Sequence, residues 1–287
     1  MAALRVAPCE DTPVTAAVLG LAAAVANAAG MLMSKDFTRR YPARQMIGPL
    51  YLVNCALVLP FAPFAPWAWS PEIVALHLAA VAAMLVTALA GWDLLAHGPA
   101  SSQLTAVALA PLPAVLLTGL LLPGTLHPVQ VIAAVVVVLG VTLALRDAFG
   151  SLGRAGAIVR IVGVATGTAA LTMTAKLLAD RGVGVVETYV VRTALAGIVF
   201  TVAFPPRDVD FREMPRMVVR AAAITTYFVL VIVAVGQGSP AVVQTMVATT
   251  PLWALGYEWW REEVRPHPAA LGAAALVLAG VAITLLG

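Results

Sequence analysis

Runs of about twenty apolar residues, parted by short polar interruptions, recur along the whole chain. Ten can be marked, at roughly 13–34, 45–65, 72–96, 100–122, 128–146, 157–177, 185–204, 216–236, 239–260 and 267–286, each ended by charges, proline or glycine. That is the length a helix needs to cross a bilayer. The pattern therefore predicts an all-α integral membrane protein of ten transmembrane helices. The runs are continuous where a membrane β-barrel would alternate. The first is not a cleavable signal in pattern, because Arg5 is followed by Glu10 and Asp11 and the apolar stretch is long enough to span.

Composition agrees. Of 287 residues 61% are hydrophobic and 11% charged, and the mean hydropathy is +0.96. Soluble domains carry roughly 45–50% apolar and about 25% charged residues. A cytosolic enzyme, a disordered chain and a nucleic-acid-binding domain are excluded. The net charge is only +3 and the basic residues sit in short loops, so no nucleic-acid partner is implied. Cys9 and Cys55 form no disulfide framework. There is no HExxH, GxSxG, P-loop or Cys/His cluster, so neither a metal nor another cofactor is expected.

Shifted by 140 residues, the chain aligns with itself. The segment 98–146 falls on 238–286 without a gap, with fifteen identities that include Gly98/Gly238, Pro111/Pro251, His127/His267, Pro128/Pro268 and Gly140/Gly280. An Ala- and Val-rich composition does not produce paired prolines, histidines and glycines at one offset. At an offset of 141, Lys35 falls on Lys176 and Arg40 on Arg181. Five predicted helices per copy is an odd number, so the second copy enters the membrane from the opposite side. Secondary transporters often have such inverted repeats, with the binding site near the midplane between the halves. The predicted organisation is a tail over 1–12, a first five-helix repeat over 13–147, a linker over 148–156 and a second repeat over 157–287.

The segments 96–145 and 234–286 each carry a helix with a central proline, a short turn, and an apolar helix containing Leu-Gly-Val (139–141) or Ala-Gly-Val (279–281). They resemble the end of an EamA-type half in the drug/metabolite transporter superfamily. The stretch 187–200, with Arg192 four residues before Ala196, is similar to the family's second-helix pattern. The first half departs from it, with Tyr51 in place of the Arg and Pro123-Gly124 in place of the turn that survives as Glu262-Glu263. The resemblance implies transport by ten helices in two inverted halves. Spans 1–4 and 6–9 would line the site, spans 5 and 10 would pack to one side, and Lys35 and Lys176 would stand at the cavity mouth.

Ionisable side chains deep in a membrane usually face the interior or water. Asp93 and His97 share a face near the end of span 3, suited to a proton relay or to a headgroup-level position. Arg192 suits bidentate capture of a carboxylate or phosphate, or neutralisation by Glu187 or Glu258. Asp93, Glu187 and Glu258 are the candidates for ion coupling, although Trp259 and Trp260 mark Glu258 as interfacial. Substrate candidates among the remaining residues are Asn27, Asn54, Trp92, Ser101, Gln103, Tyr227 and Gln244; such amides also serve as interhelical glue. Small residues stripe span 1 at Gly20, Ala24 and Ala28 and again at Ala22, Ala26 and Gly30. Pro111 and Pro251 fall mid-span and predict kinks or hinges.

These patterns predict a secondary-active carrier, an exporter rather than an enzyme. Its cargo would be small polar or amphipathic metabolites such as amino acids, moved by alternating access across the plasma membrane. A passive channel, a lipid-carrier flippase or a non-transporting scaffold subunit are the alternatives. The expected partners are the small-molecule substrate, the lipid bilayer and a second copy of the chain. Thirteen basic residues, Arg220 among them, fall on the loops and flanks after the odd-numbered spans, against Arg5, Lys176 and Arg181 on the other side. The positive-inside rule then puts both termini outside the cytoplasm, whereas the family resemblance implies cytoplasmic termini.

Overall fold

The computed structural model describes residues 13–97, 100–145, 154–262 and 268–286. The first repeat forms α1 (Pro13–Thr38), α2 (Ala43–Val58) extended by a 3-10 turn (Leu59–Phe64), α3 (Pro71–His97), α4 (Ala100–Ala108), α5 (Pro111–Leu121) and α6 (Pro128–Leu145). The second forms α7 (Arg154–Asp180), α8 (Val185–Ala203), α9 (Met214–Gln237), α10 (Pro240–Val247), α11 (Thr250–Glu262) and α12 (Pro268–Leu286). Among the described residues, seven helical stretches are long and apolar enough to span a membrane, and α6 and α12 supply two shorter apolar ones. The pair α10–α11 completes ten crossings.

Spans 4 and 9, expected as kinked helices, are broken ones. Each proline lacks a donor N–H, and its ring crowds the carbonyl four residues earlier. Val107 O, freed by Pro111, accepts from Ala110 N at 3.0 Å. Val247 O, freed by Pro251, accepts from Thr250 Oγ1 at 2.5 Å. Both carbonyls are thus satisfied, as non-helical backbone at membrane depth must be.

The strongest packing follows the duplication. Helix α1 lies on α9 and, equivalently, α3 on α7; α2 pairs with its own counterpart α8, and α6 with α12. The α6–α12 crossing depends on the glycines that the offset aligned. A Cβ on Gly140 would stand 3.0 Å from Ala273 O, and one on Gly280 would stand 2.9 Å from Ala133 O. Close backbone approach of this kind replaces the hydrophobic drive that lipid cannot supply. The two stripes on α1 serve two neighbours: Gly20 faces Met246 of α10 and Gly30 faces Ile224 of α9.

Ten crossings return α12 to the face from which α1 sets out, the terminal face. It also carries the links α2–α3, α5–α6, α7–α8 and α9–α10. The opposite, arginine-rich face carries the other five links.

Candidate substrate site

The two halves meet along α2–α8 and α1–α9, and polar side chains gather there. Arg192 projects from α8 seven residues in, about 10 Å from the helix start at 1.5 Å per residue. It is 2% exposed. Its guanidinium carbon lies 4.8 Å from the ring centre of Phe228 and 5.6 Å from that of Tyr189. Nε and Nη2 have no hydrogen-bond partner among the described residues. Arg220 enters from the other face, six residues into α9, and is 5% exposed. Its Nε donates to Ser34 Oγ at 2.9 Å, and its guanidinium sits 5.8 Å over Trp92. Tyr51 lies within electrostatic reach of both arginines. Tyr189 donates to or accepts from Thr225 Oγ1 at 2.8 Å, and Tyr227 packs against Phe228 at 4.8 Å. Two cations and an aromatic wall therefore occupy the seam between the repeats.

A second buried cluster lies nearer the terminal face. Glu187, on the first turn of α8, accepts from Ala68 N at 3.0 Å through Oε2. Its Oε1 is 3.6 Å from His77 Nε2 of α3. Both side chains are buried, and Trp69 covers the imidazole at 6.3 Å. Arg192 thus has no carboxylate partner in Glu187, whose oxygens point to Ala68 and His77.

Other candidates take different places. Asp93 lies at the arginine-rich end of α3, held by Arg44 at 3.3 Å and Arg160 at 3.5 Å. The His97 ring meets the backbone oxygen of Asp93 at 2.9 Å, not its carboxylate. Lys35 donates to Leu95 O at 2.5 Å beside them. Lys176 pairs with Asp180 at 3.0 Å and lines a 590 Å³ pocket of the terminal face with His127 and Gln130. Among the described residues, Asn27 and Asn54 are buried with both amide atoms unpartnered, and Gln103 is buried with its Oε1 unpartnered, close against Gly91. Gln244 donates to Thr172 Oγ1, joining α10 to α7. The side chains of Ser101 and Glu258 lie outside the described residues. Among the described residues no three His, Cys, Asp or Glu side chains group as metal ligands would.

Arg220 and His77 are absent from the site residues expected from the sequence. Arg220 belongs by position to a basic loop, and only its burial moves it inside, which lowers the loop count by one. His77 stands seven residues inside an apolar run, which is itself a signal that an ionisable group lies at depth.

The family model for the EamA-like transporter family matches residues 14–146 and again 155–286. The chain belongs to the EamA-like transporter family. It is a multi-pass membrane protein of a transporter family, with one family unit in each half. A solved structure described as "Crystal structure of protein" is similar over 95% of this chain and 97% of that one, with a TM-score of 0.74 at 16% identity, and shows the same fold. Comparison with curated proteins finds no match.

Proposed function

We propose that this transporter is a secondary-active carrier, in the plasma membrane, of small metabolites that bear a carboxylate, amino acids among them. The two inverted halves rock about the broken spans at Pro111 and Pro251, exposing the seam to each face in turn. One observation carries the proposal: Arg192 is buried at membrane depth with Nε and Nη2 unpartnered among the described residues. Taking an ion out of water costs several kcal/mol, and cation–π contact returns about 1–2 kcal/mol. An anion received in fork geometry offsets the remainder, because guanidinium and carboxylate pair through two parallel hydrogen bonds. The aromatic wall then accepts the apolar part of the solute.

The test is counterflow in proteoliposomes with purified full-length protein and labelled amino, hydroxy and keto acids, matched to their amides and esters. Saturable counterflow confined to free carboxylates is the expected result. Equal movement of the esters, or flux that does not saturate, overturns the proposal, and the latter favours a passive channel.

A further inference from the structure

We propose that His77 and Glu187 form a single proton-binding site on the terminal-face side of the seam, and that its proton travels with the carboxylate substrate. The coupling half of this rests on the carrier reading above; the proton site itself does not.

Geometry supplies the argument. Two titratable side chains, both buried, stand 3.6 Å apart, and His77 Nδ1, His77 Nε2 and Glu187 Oε1 all lack hydrogen-bond partners among the described residues. With the imidazole's own proton on Nδ1, a second proton between Oε1 and Nε2 satisfies this contact and leaves the pair neutral, on whichever of the two atoms it rests. Without the proton a carboxylate charge remains buried, steadied by Ala68 N–H. Such a pair titrates as a unit.

Its surroundings contain the charge that couples it. On α3, Glu72 is tied to Arg181. On α7, Lys176 and Asp180 neutralise each other. From α2 comes Cys55, whose thiol lies 4.0 Å from Val190 O of α8. From α9 come Tyr227 and Arg220, grouped around Arg192 and Tyr51. Among the described residues, Nε and Nη2 of Arg192 have no hydrogen-bond partner, and Arg192 stands five residues along α8 from Glu187. A cation that is not neutralised repels a proton nearby. A carboxylate seated on Arg192 cancels that effect and raises the pair's proton affinity, and by reciprocity the proton tightens the carboxylate.

The duplication shows that packing does not require this pair. At an offset of 141 Glu187 falls on Met46, and at 140 His77 falls on Met217. Both methionines are fully buried in one apolar cluster. Each pair takes one residue from each repeat, so the same pseudo-symmetric position is filled by two thioethers at one end of the seam and by two titratable groups at the other.

The test uses Trp69, which lies against the imidazole. In purified protein, a tryptophan fluorescence component should titrate between about pH 5 and 8, and be lost in W69F and in the double variant H77M/E187M. The double variant copies the packing of Met46 and Met217 and should fold, since apolar replacement of a buried ionic pair is often neutral or stabilising. A carboxylate substrate should raise the midpoint by on the order of one pH unit. In proteoliposomes, a one-unit gradient should multiply substrate accumulation by up to about tenfold, and by one in H77M/E187M. No titrating component, or one that survives in H77M/E187M, overturns the proton site. Gradient-driven accumulation that survives in that variant overturns the coupling. Absence of counterflow in the wild-type protein sinks the carrier reading alone, and the fluorescence titration still judges the site.

Discussion

The two ends of the seam are built on equivalent helices and hold opposite chemistry. Near the terminal face, His77 and Glu187 are buried together. At the equivalent depth from the other face, Met46 and Met217 fill the space with apolar volume. The carboxylates on that side lie farther out, Asp93 with Arg44 and Arg160 and Glu213 with Arg40, and the buried charge there is the cation Arg220. Between the ends, Arg192 of the second repeat stands where the first repeat has Tyr51. Duplication preserved the backbone and its crossings, while the ionisable groups were free to diverge. Fold symmetry and chemical symmetry are therefore separate properties here, and only the first is inherited.

The largest expected effect breaks the centre of that comparison. R192Q removes a charge-assisted contact of about 1.5–3 kcal/mol, so kcat/KM for a carboxylate should fall by roughly ten- to a hundredfold. R192K retains the charge but loses the fork, and should recover part of the loss. R220Q should fall less, because Arg220 already spends one donor on Ser34. Equal losses for R192Q and R220Q would show that the two cations act as one site.

Next in size are the crossings that symmetry did preserve. G140A and G280A each force a methyl toward a backbone oxygen across α6–α12, 3.0 Å and 2.9 Å away. Overpacking costs typically 1–3 kcal/mol, read as a lowered Tm of the purified protein. The two losses should be similar, and transport by the folded fraction should persist. Strongly unequal losses would mean that the two halves of this crossing have diverged as the seam has.

A smaller effect separates the two broken spans. T250V removes the hydroxyl that serves Val247 O, whereas in the first repeat Ala110 N does the same work for Val107 O. Hydrogen bonds across helices in membranes average only about 0.6 kcal/mol, and a bond of similar size here means that the Tm should drop slightly. A larger drop would place Thr250 in the hinge itself.

The spans, the inverted halves, the two prolines and the paired glycines were legible because each leaves a pattern in one dimension: an apolar length, an odd count, a repeated offset. The seam was legible only in part. Arg192, Tyr227, Glu187 and Trp92 stand out as polar or aromatic residues inside apolar runs, and they do cluster with the partners described. Arg220 does not, because it falls beside a basic loop; His77 does lie in an apolar run, but helices that are apolar on all sides carry no periodic signal of which face turns inward and so none of its partner. Asp93 and His97 share a helix face by spacing, yet spacing says nothing of how near that face lies to the helix end.

Asp93 therefore provides the sharpest small test. Its carboxylate faces two arginines on a partly exposed rim, where ion pairs are typically worth about 0–1 kcal/mol. D93N should change Tm by no more than that and leave KM for carboxylates within about twofold, since the proposed site is the buried Arg192 and not this rim. It should also weaken the attraction between the ends of α2, α3 and α7, an effect that added salt mimics in the wild-type protein by screening. A tenfold rise in KM in D93N, insensitive to salt, would move the binding site from the seam to the arginine-rich rim. The contrast between a titratable terminal end and an apolar opposite end would then describe packing rather than transport.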